Sequence, residues 1–218
     1  MQLCGTILRY IEPISVAALP PFEGSTNNYH WQRDSMLTLD AEATNWINAL
    51  SGGGQLLDLL MIVVTYAGVP VLVLAVAAQW WLGGGLRSER HVVAACGLSF
   101  LLGLAFNQAI LLFVHRVRPY DAGITHLLIA PSADLSFPSD HATATFSIVF
   151  GYLFNLRFRK ALYFFAGALL VVFSRIYVGT HYVSDILGGI STALVAAGLV
   201  RVAYREGTRL DRWVTGIL

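Results

Sequence analysis

The sequence predicts an all-α membrane protein, a polytopic bundle of about five transmembrane helices. Of its 218 residues, 56% are hydrophobic and only 12% are charged, whereas soluble domains carry about 25% charged residues. The mean hydropathy is +0.63. The net charge of +1 argues against a nucleic-acid partner. Apolar runs separated by short charged segments suit one membrane-embedded unit.

The N-terminal segment is less regular. Residues 1–20 are interrupted by Arg9, Glu12 and Pro13, and they lack the basic start and cleavage site of a signal peptide. Three possibilities stay open: this stretch crosses the membrane as a sixth span, lies on its surface, or forms a tail. Residues 40–50 space their apolar side chains like a helix, which predicts a short interfacial helix capped by Asp40.

Five apolar runs are predicted to be the spans: residues 59–82, 92–114, 142–156, 161–174 and 186–200. The first two are charge-free and long enough to cross the hydrocarbon core. The last three cover only about 20–23 Å at 1.5 Å per residue, against a core of about 30 Å. They are either buried helices that do not cross, or spans whose polar ends lie about a turn below the surface.

The distribution of lysine and arginine favours the interpretation in which the last three runs cross the membrane. With five spans, nine of the fourteen Lys and Arg residues fall on one side, and positive residues collect on the cytoplasmic side. They are Arg87, Arg90, Arg157, Arg159, Lys160, Arg201, Arg205, Arg209 and Arg212. The N-terminus is then outside, the C-terminus inside, and the polar motifs face outward.

The polar motif around residues 174–185 is the richest in reactive groups. His181 and Asp185 are four residues apart, so on a helix the carboxylate can accept an imidazole N–H and leave the other ring nitrogen nucleophilic. Arg175 is a permanent cation shaped to bind phosphate oxygens in pairs. The alternative is an arginine that reaches the membrane surface beside a hydrogen-bonded histidine.

Two further motifs are predicted at the same membrane level. Residues 138–141 begin a helix, with Ser139 as its N-cap, and free N–H groups at a helix N-terminus favour an anion. His141 in that first turn can protonate a leaving oxygen. Arg118 precedes a proline at the end of the second span. Ionisable groups within a membrane are functional candidates, although capping and a water-facing helix end would also explain residues 139 and 141.

The cysteines and carboxylates predict neither a disulfide nor a metal site. Cys4 and Cys96 are far apart, and Cys96 lies inside an apolar run, so a structural disulfide is not expected. Neither has the spacing of metal ligands, and there is no carboxylate cluster suited to Mg²⁺. We expect no cofactor.

Together, Arg118-Pro119, Pro138-Ser139-Asp140-His141 and Ser174-Arg175 followed by His181 and Asp185 resemble the three signatures of the type 2 phosphatidic acid phosphatase superfamily. The sequence of residues 133–143, with Asp140 where many relatives have glycine, is similar to that of the bacitracin-resistance branch. Members of that branch are undecaprenyl pyrophosphate phosphatases. Leu111 departs from the pattern, because the superfamily has a lysine there, although this branch tends to lack it; Arg116 or His115 are candidate replacements.

The resemblance implies a phosphatase domain at residues 56–205, between an N-terminal segment (1–55) and a basic cytoplasmic tail (206–218). It implies that His181 attacks phosphorus, that Asp185 orients it and that His141 protonates the leaving group. No metal would be needed. The implied substrate-binding residues are Arg118, Arg175, Ser139, Ser174, Pro138, Asp140 and Gly179.

The substrate implied by this branch is undecaprenyl pyrophosphate, hydrolysed at the outer face of a bacterial cytoplasmic membrane to recycle the lipid carrier of peptidoglycan synthesis. Two alternatives stay open. One is a phosphatase of phosphatidic acid, phosphatidylglycerol phosphate or another lipid phosphate. The other is a non-catalytic anion-binding membrane protein. The soluble vanadium haloperoxidases share the motifs but not the apolar spans. Oligomeric state and lipid chain length are not readable from the sequence.

Overall fold

The computed structural model describes residues 29–82 and 86–216, with side chains from residue 38 onward. Residues 1–20, whose relation to the membrane the sequence left open, and Cys4 lie outside this part. The described residues form seven helices and no strand, which confirms the all-α prediction. They are α1 (Tyr29–Asn48), α2 (Gln55–Leu82), α3 (Arg87–Leu111), α4 (Asp140–Phe154), α5 (Phe158–Tyr177), α6 (Val183–Ala203) and α7 (Arg209–Thr215).

Four of these helices, α2, α3, α5 and α6, are long and apolar enough to cross a membrane. Their outward faces carry exposed large apolar side chains, such as Leu74, Leu162 and Leu199. Helix α5 and helix α6 are longer than the charge-free runs from which they were predicted, because they include polar residues at their ends, among them Arg175 and Asp185. The chain is therefore a multi-pass membrane protein.

Helix α4 is the centre of the bundle. It packs against α2, α3, α5 and α6, and its side chains are buried on nearly every face. It was predicted as a further span, but its 15 residues measure about 22 Å, which is short of the hydrocarbon thickness. The surrounding helices bury its residues 142–149, whereas Asp140 at its start is exposed.

Helix α1 is longer than the predicted helix and starts earlier, so Asp40 lies within it and is not its cap. The apolar periodicity began only at Asp40, because the preceding stretch is polar. The helix packs across the ends of α5 and α6. The Asn48 amide donates to the carbonyls of Tyr177 (2.8 Å) and His126 (2.9 Å), and the Thr44 hydroxyl accepts the N–H of Val183 at 3.1 Å.

The predicted basic tail contains a docked helix, α7. The Thr208 hydroxyl caps it by accepting the N–H of Asp211. The Asp211 carboxylate then accepts from the His91 imidazole (2.7 Å) and the Tyr204 hydroxyl (2.8 Å). The sequence analysis considered only the arginines of this segment, and the buried Asp211 is what attaches it to the start of α3.

Candidate active site

A cavity of about 250 Å³ opens between the ends of α3, α4 and α5 and the segment that joins α3 to α4. It brings together predicted site residues that are up to 63 positions apart. Six of them line it: Arg118, Pro138, Asp140, His141, Arg175 and His181. Both imidazoles and both guanidinium groups therefore share one space, which also has Leu111 in its wall.

His181 lies in the turn between α5 and α6, one residue before the N-cap Tyr182. Its Nδ1 is 2.9 Å from the carbonyl oxygen of Ser136 and 3.5 Å from Oδ2 of Asp185. Both partners are acceptors, so Nδ1 carries the proton and Nε2 keeps a free lone pair. The ring is only 4% exposed and reaches the cavity.

Burial is the largest influence on the pKa of the His181 imidazole and lowers it below its ordinary value. Asp185 opposes this shift, whereas the charges of Arg175 and Arg118 add to it. The imidazole is therefore neutral at pH 7. A neutral imidazole with one nitrogen hydrogen-bonded and the other free is the nucleophilic form.

Asp185 is a fully buried carboxylate, with 0% of its surface exposed. Its Oδ2 accepts the N–H of Tyr182 at 2.9 Å and a short hydrogen bond from the Ser136 hydroxyl. Its Oδ1 accepts from Nη1 of Arg116 at 2.7 Å. Because the third residue of α6 folds back onto the N-cap in this way, Asp185 meets His181 although His181 is outside the helix.

The two cavity arginines are held differently. Arg118 donates from Nε to the Asp134 carbonyl (2.7 Å) and from Nη1 to the Thr180 carbonyl (3.0 Å), which fixes the guanidinium plane. Arg175 is 8% exposed, and its Nε is buried without a hydrogen-bond partner among the described residues. Two neighbouring buried guanidinium groups, one with an unused donor, favour binding of an anion between them.

Residues 138–141 form the start of α4, as predicted. Ser139 is the N-cap by position, but its side chain makes no capping bond. Its N–H donates to the Asp185 carbonyl at 3.1 Å, and its buried hydroxyl has no partner in the described part of the chain. The Asp140 carboxylate accepts from the Asn107 amide at 2.7 Å. An ionised carboxylate has no donor to offer a phosphate, whereas the Ser139 hydroxyl does.

Ser174 and Gly179 lie behind the cavity. The Ser174 hydroxyl donates to the Val171 carbonyl (2.7 Å) and accepts from the Thr65 hydroxyl (3.0 Å). Gly179 has a φ of +84°, and a Cβ there would come within 2.4 Å of the His126 carbonyl oxygen. Gly179 shapes the turn that presents His181, whereas the Ser174 hydroxyl links α5 to α2.

The sequence analysis missed the groups that surround Asp185. Arg116, considered as a replacement for the lysine absent at Leu111, pairs with Asp185 and with Asp40 (2.6 Å) and is not among the residues that line the cavity. His115 is exposed. The spare charge of Arg116 was visible in the sequence, but nothing in the spacing connected it to residue 40 or residue 185. Among the described residues, no group of three or more His, Cys, Asp or Glu side chains is placed to hold a metal ion.

Comparison with known proteins finds that the chain is similar to membrane phosphatases. The chain is 39% identical over 150 residues to undecaprenyl-diphosphatase BcrC of Bacillus subtilis, covering 68% of this chain and 76% of that one. It is 34% identical over 105 residues to phosphatidylglycerophosphatase B of Bacillus subtilis, covering 44% and 49%. The crystal structure of a transmembrane PAP2 type phosphatidylglycerolphosphate phosphatase from Bacillus subtilis superposes with a TM-score of 0.59 at 22% identity, covering 81% of this chain and 89% of that one.

A family model described as the PAP2 superfamily matches residues 92–209. That range contains the cavity, both histidines and both cavity arginines. The match covers more than half of the chain, and the relatives agree with it. The chain belongs to the PAP2 superfamily.

Proposed function

We propose that this protein hydrolyses undecaprenyl pyrophosphate to undecaprenyl phosphate and inorganic phosphate, with His181 as the nucleophile. The observation that carries the proposal is the environment of that imidazole. Its Nδ1 is bound by Ser136 and faces Asp185, while the ring borders a cavity that also contains Arg118 and Arg175. The similarity to BcrC supports the substrate.

In the first step, Nε2 of His181 attacks the terminal phosphorus. A P–N bond forms, the bond from phosphorus to the bridging oxygen breaks, and undecaprenyl phosphate leaves. His141 donates a proton to the departing oxygen. Arg118, Arg175 and the Ser139 hydroxyl stabilise the charge on the phosphoryl oxygens. Asp185 stabilises the positive charge on the His181 ring.

In the second step, water attacks the phosphohistidine. His141 accepts a proton from that water, the P–N bond breaks, and phosphate departs with His181 again neutral. The arginines supply the positive charge that a metal ion provides in other phosphatases. We therefore expect a chelator to leave the rate unchanged.

The protein acts in a bacterial cytoplasmic membrane with its active site facing outward. The support is the cluster of lysine and arginine at the end opposite the cavity. Cysteines introduced one at a time by Ala122→Cys and Arg205→Cys test this by labelling in whole cells. The background chain carries Cys4→Ser, and its remaining cysteine, Cys96, is buried. A membrane-impermeant maleimide should label position 122 and not position 205, and the reverse pattern would overturn the orientation.

The substrate assignment is tested by phosphate release from purified protein in nanodiscs. The panel is undecaprenyl pyrophosphate, phosphatidic acid and phosphatidylglycerol phosphate, each with and without chelator. We expect the prenyl pyrophosphate to be cleaved fastest. The similarity to phosphatidylglycerophosphatase B favours the second candidate, a glycerolipid phosphatase, and much faster cleavage of phosphatidylglycerol phosphate would establish it. Binding of all three lipids without phosphate release would instead indicate the non-catalytic alternative.

A further inference from the structure

The buried carboxylate of Asp185 depends on a partner outside the cavity. Of its two oxygens, Oδ2 faces His181 and accepts from Tyr182 and Ser136. The other oxygen, Oδ1, accepts from Arg116 at 2.7 Å. A buried carboxylate is stabilised by a paired cation of this kind.

Arg116 is itself held in place. Its Nη2 donates to Oδ2 of Asp40 at 2.6 Å, and its Nη1 also donates to the Ser184 hydroxyl at 2.5 Å. The guanidinium carbon lies 3.8 Å from the centroid of the Tyr182 ring. A guanidinium that bridges two carboxylates and stacks on an aromatic ring has little freedom to move toward a substrate.

Asp40 connects this arrangement to α1. Its Oδ1 accepts the N–H of Ser184 at 2.9 Å, and its Oδ2 accepts the Ser184 hydroxyl at 2.5 Å. It therefore binds a free N–H in the first turn of α6, the turn that contains Asp185. Asp40 precedes both the predicted phosphatase domain and the residues that match the family model.

We propose that Asp40 and Arg116 are positioning residues for the phosphatase reaction, acting on His181 through Asp185. Arg116 fixes the orientation of the Asp185 carboxylate and balances its charge, and Asp40 fixes Arg116. The N-terminal helix thereby contributes to the active site. This inference rests on the proposed function only in that the protein turns over a lipid phosphate, not on which one.

The position of Arg116 between the carboxylates of Asp40 and Asp185 leads to a specific prediction. Without Arg116, two carboxylates, Asp40 and Asp185, are left facing the space it occupied. Their repulsion should do more damage than the loss of the hydrogen bonds alone. Arg116→Gln should therefore be harmful, and adding Asp40→Asn should restore part of the activity because it removes one of the two charges. Such non-additivity is expected only of groups in direct contact.

The test measures kcat, KM and the pH profile of phosphate release for Arg116→Gln, Arg116→Lys, Asp40→Asn and the double variant. Each uses the lipid phosphate that the wild type cleaves fastest, so a wrong substrate assignment does not affect the outcome. The control is Glu89→Gln, which removes the ion pair of Glu89 with Lys160 (2.6 Å) at the opposite end of the bundle. Size-exclusion chromatography measures the folded fraction of every variant.

For Arg116→Gln we expect kcat to fall by about 10- to 100-fold, as for other groups that orient a reacting residue. KM should change far less, since Arg116 is not in the cavity. The acidic limb of the pH profile should move to higher pH. The charged groups around His181 are Asp185, Arg118, Arg175 and His141, and unneutralised Asp185 favours the protonated imidazole. Arg116→Lys keeps the charge and should restore the acidic limb.

Two results would overturn the proposal. One is a kcat for Arg116→Gln within about twofold of wild type, since transition-state stabilisation would then be intact. The other is a reduced kcat with an unmoved acidic limb and no recovery in the double variant, which would mean that the pair only supports the fold. If Arg116→Gln does not yield folded protein, Asp40→Asn provides the same readouts with the cation retained.

Discussion

Two buried histidine–aspartate pairs lie at opposite ends of the bundle in the described part of the chain. In the pair at the start of α3, Nδ1 of His91 lies 2.7 Å from the Asp211 carboxylate. In the pair at the cavity, the corresponding distance from His181 to Asp185 is 3.5 Å. The tighter pair is the one without an assigned reaction. A short contact between imidazole and carboxylate therefore does not identify a nucleophile.

The two pairs differ in what surrounds the imidazole ring on the side away from the carboxylate. The His91 ring is stacked on Tyr204, with a centroid distance of 4.7 Å, and Asp211 also accepts from Tyr204 and from the Gly207 N–H (2.8 Å). These contacts attach α7 to the bundle. The His181 ring instead borders the cavity that contains two arginines. Access to a cationic cavity is thus the property that distinguishes the catalytic candidate.

Substituting each histidine tests this comparison most directly. We expect His181→Gln to reduce phosphate release by more than about 10³-fold, because the covalent step loses its nucleophile. The matched control His91→Gln should keep kcat/KM per folded enzyme. The measurement is phosphate release from both purified variants. Near-normal release from His181→Gln would remove the functional distinction between the two pairs.

Substitution of a cavity arginine should have the next largest effect. Arg175→Lys keeps the positive charge but loses the planar pair of donors, and we expect kcat/KM to fall by about 10- to 100-fold. Arg201→Lys is the control and should leave the kinetics unchanged, because Arg201 lies in the last turn of α6 and donates to the Phe154 carbonyl. If the two variants behaved alike, the cations of the cavity would not be what separates the pairs.

The pH dependence should show a smaller effect. Burial lowers the pKa of His181, so its neutral, nucleophilic form should persist below the ordinary value of about 6.5. At pH 6 a histidine with the ordinary pKa would be only about one quarter neutral. We expect kcat/KM at pH 6 to fall by less than this fraction predicts.

The lowered pKa of His181 also determines how the stability of the fold changes with pH. A lowered pKa in the folded state makes neutral His181 stabilising above about pH 6.5, and that contribution is lost as the pH falls toward the folded-state pKa. A profile of kcat/KM against pH, recorded over a range in which the protein stays folded, measures the acidic limb. A limb centred at or above pH 6.5 would contradict the burial argument.

The smallest effect on activity is expected for substitutions in the His91–Asp211 pair. Burial alone would raise the pKa of Asp211, but hydrogen bonds from Gly207, His91 and Tyr204 outweigh it and lower the pKa. Asp211→Asn should therefore cost on the order of 1–3 kcal/mol of stability with unchanged kcat/KM. Thermal unfolding measured alongside phosphate release checks this. A loss of turnover without a lower melting temperature would link α7 to catalysis.

Much of the fold was predictable from composition and apolar spacing. The long charge-free runs became α2 and α3, and Ser139 is the backbone N-cap of α4. The errors fell where polar residues form helix, as in the first half of α1 and at α7. Apolar periodicity does not detect such segments. The position of α7, for example, is fixed by the hydrogen bond between its Asp211 and the distant His91.

The sequence by itself determined the membrane-embedded helical class, the family resemblance and the side chains expected to meet a phosphate. The tertiary structure decided which of them face one cavity, and it turned Arg116 away from that cavity toward Asp185 and Asp40. The spacing of the motifs indicates which side chains the reaction requires. The partner of a buried charge is set by the packing of separate helices, which no local pattern contains.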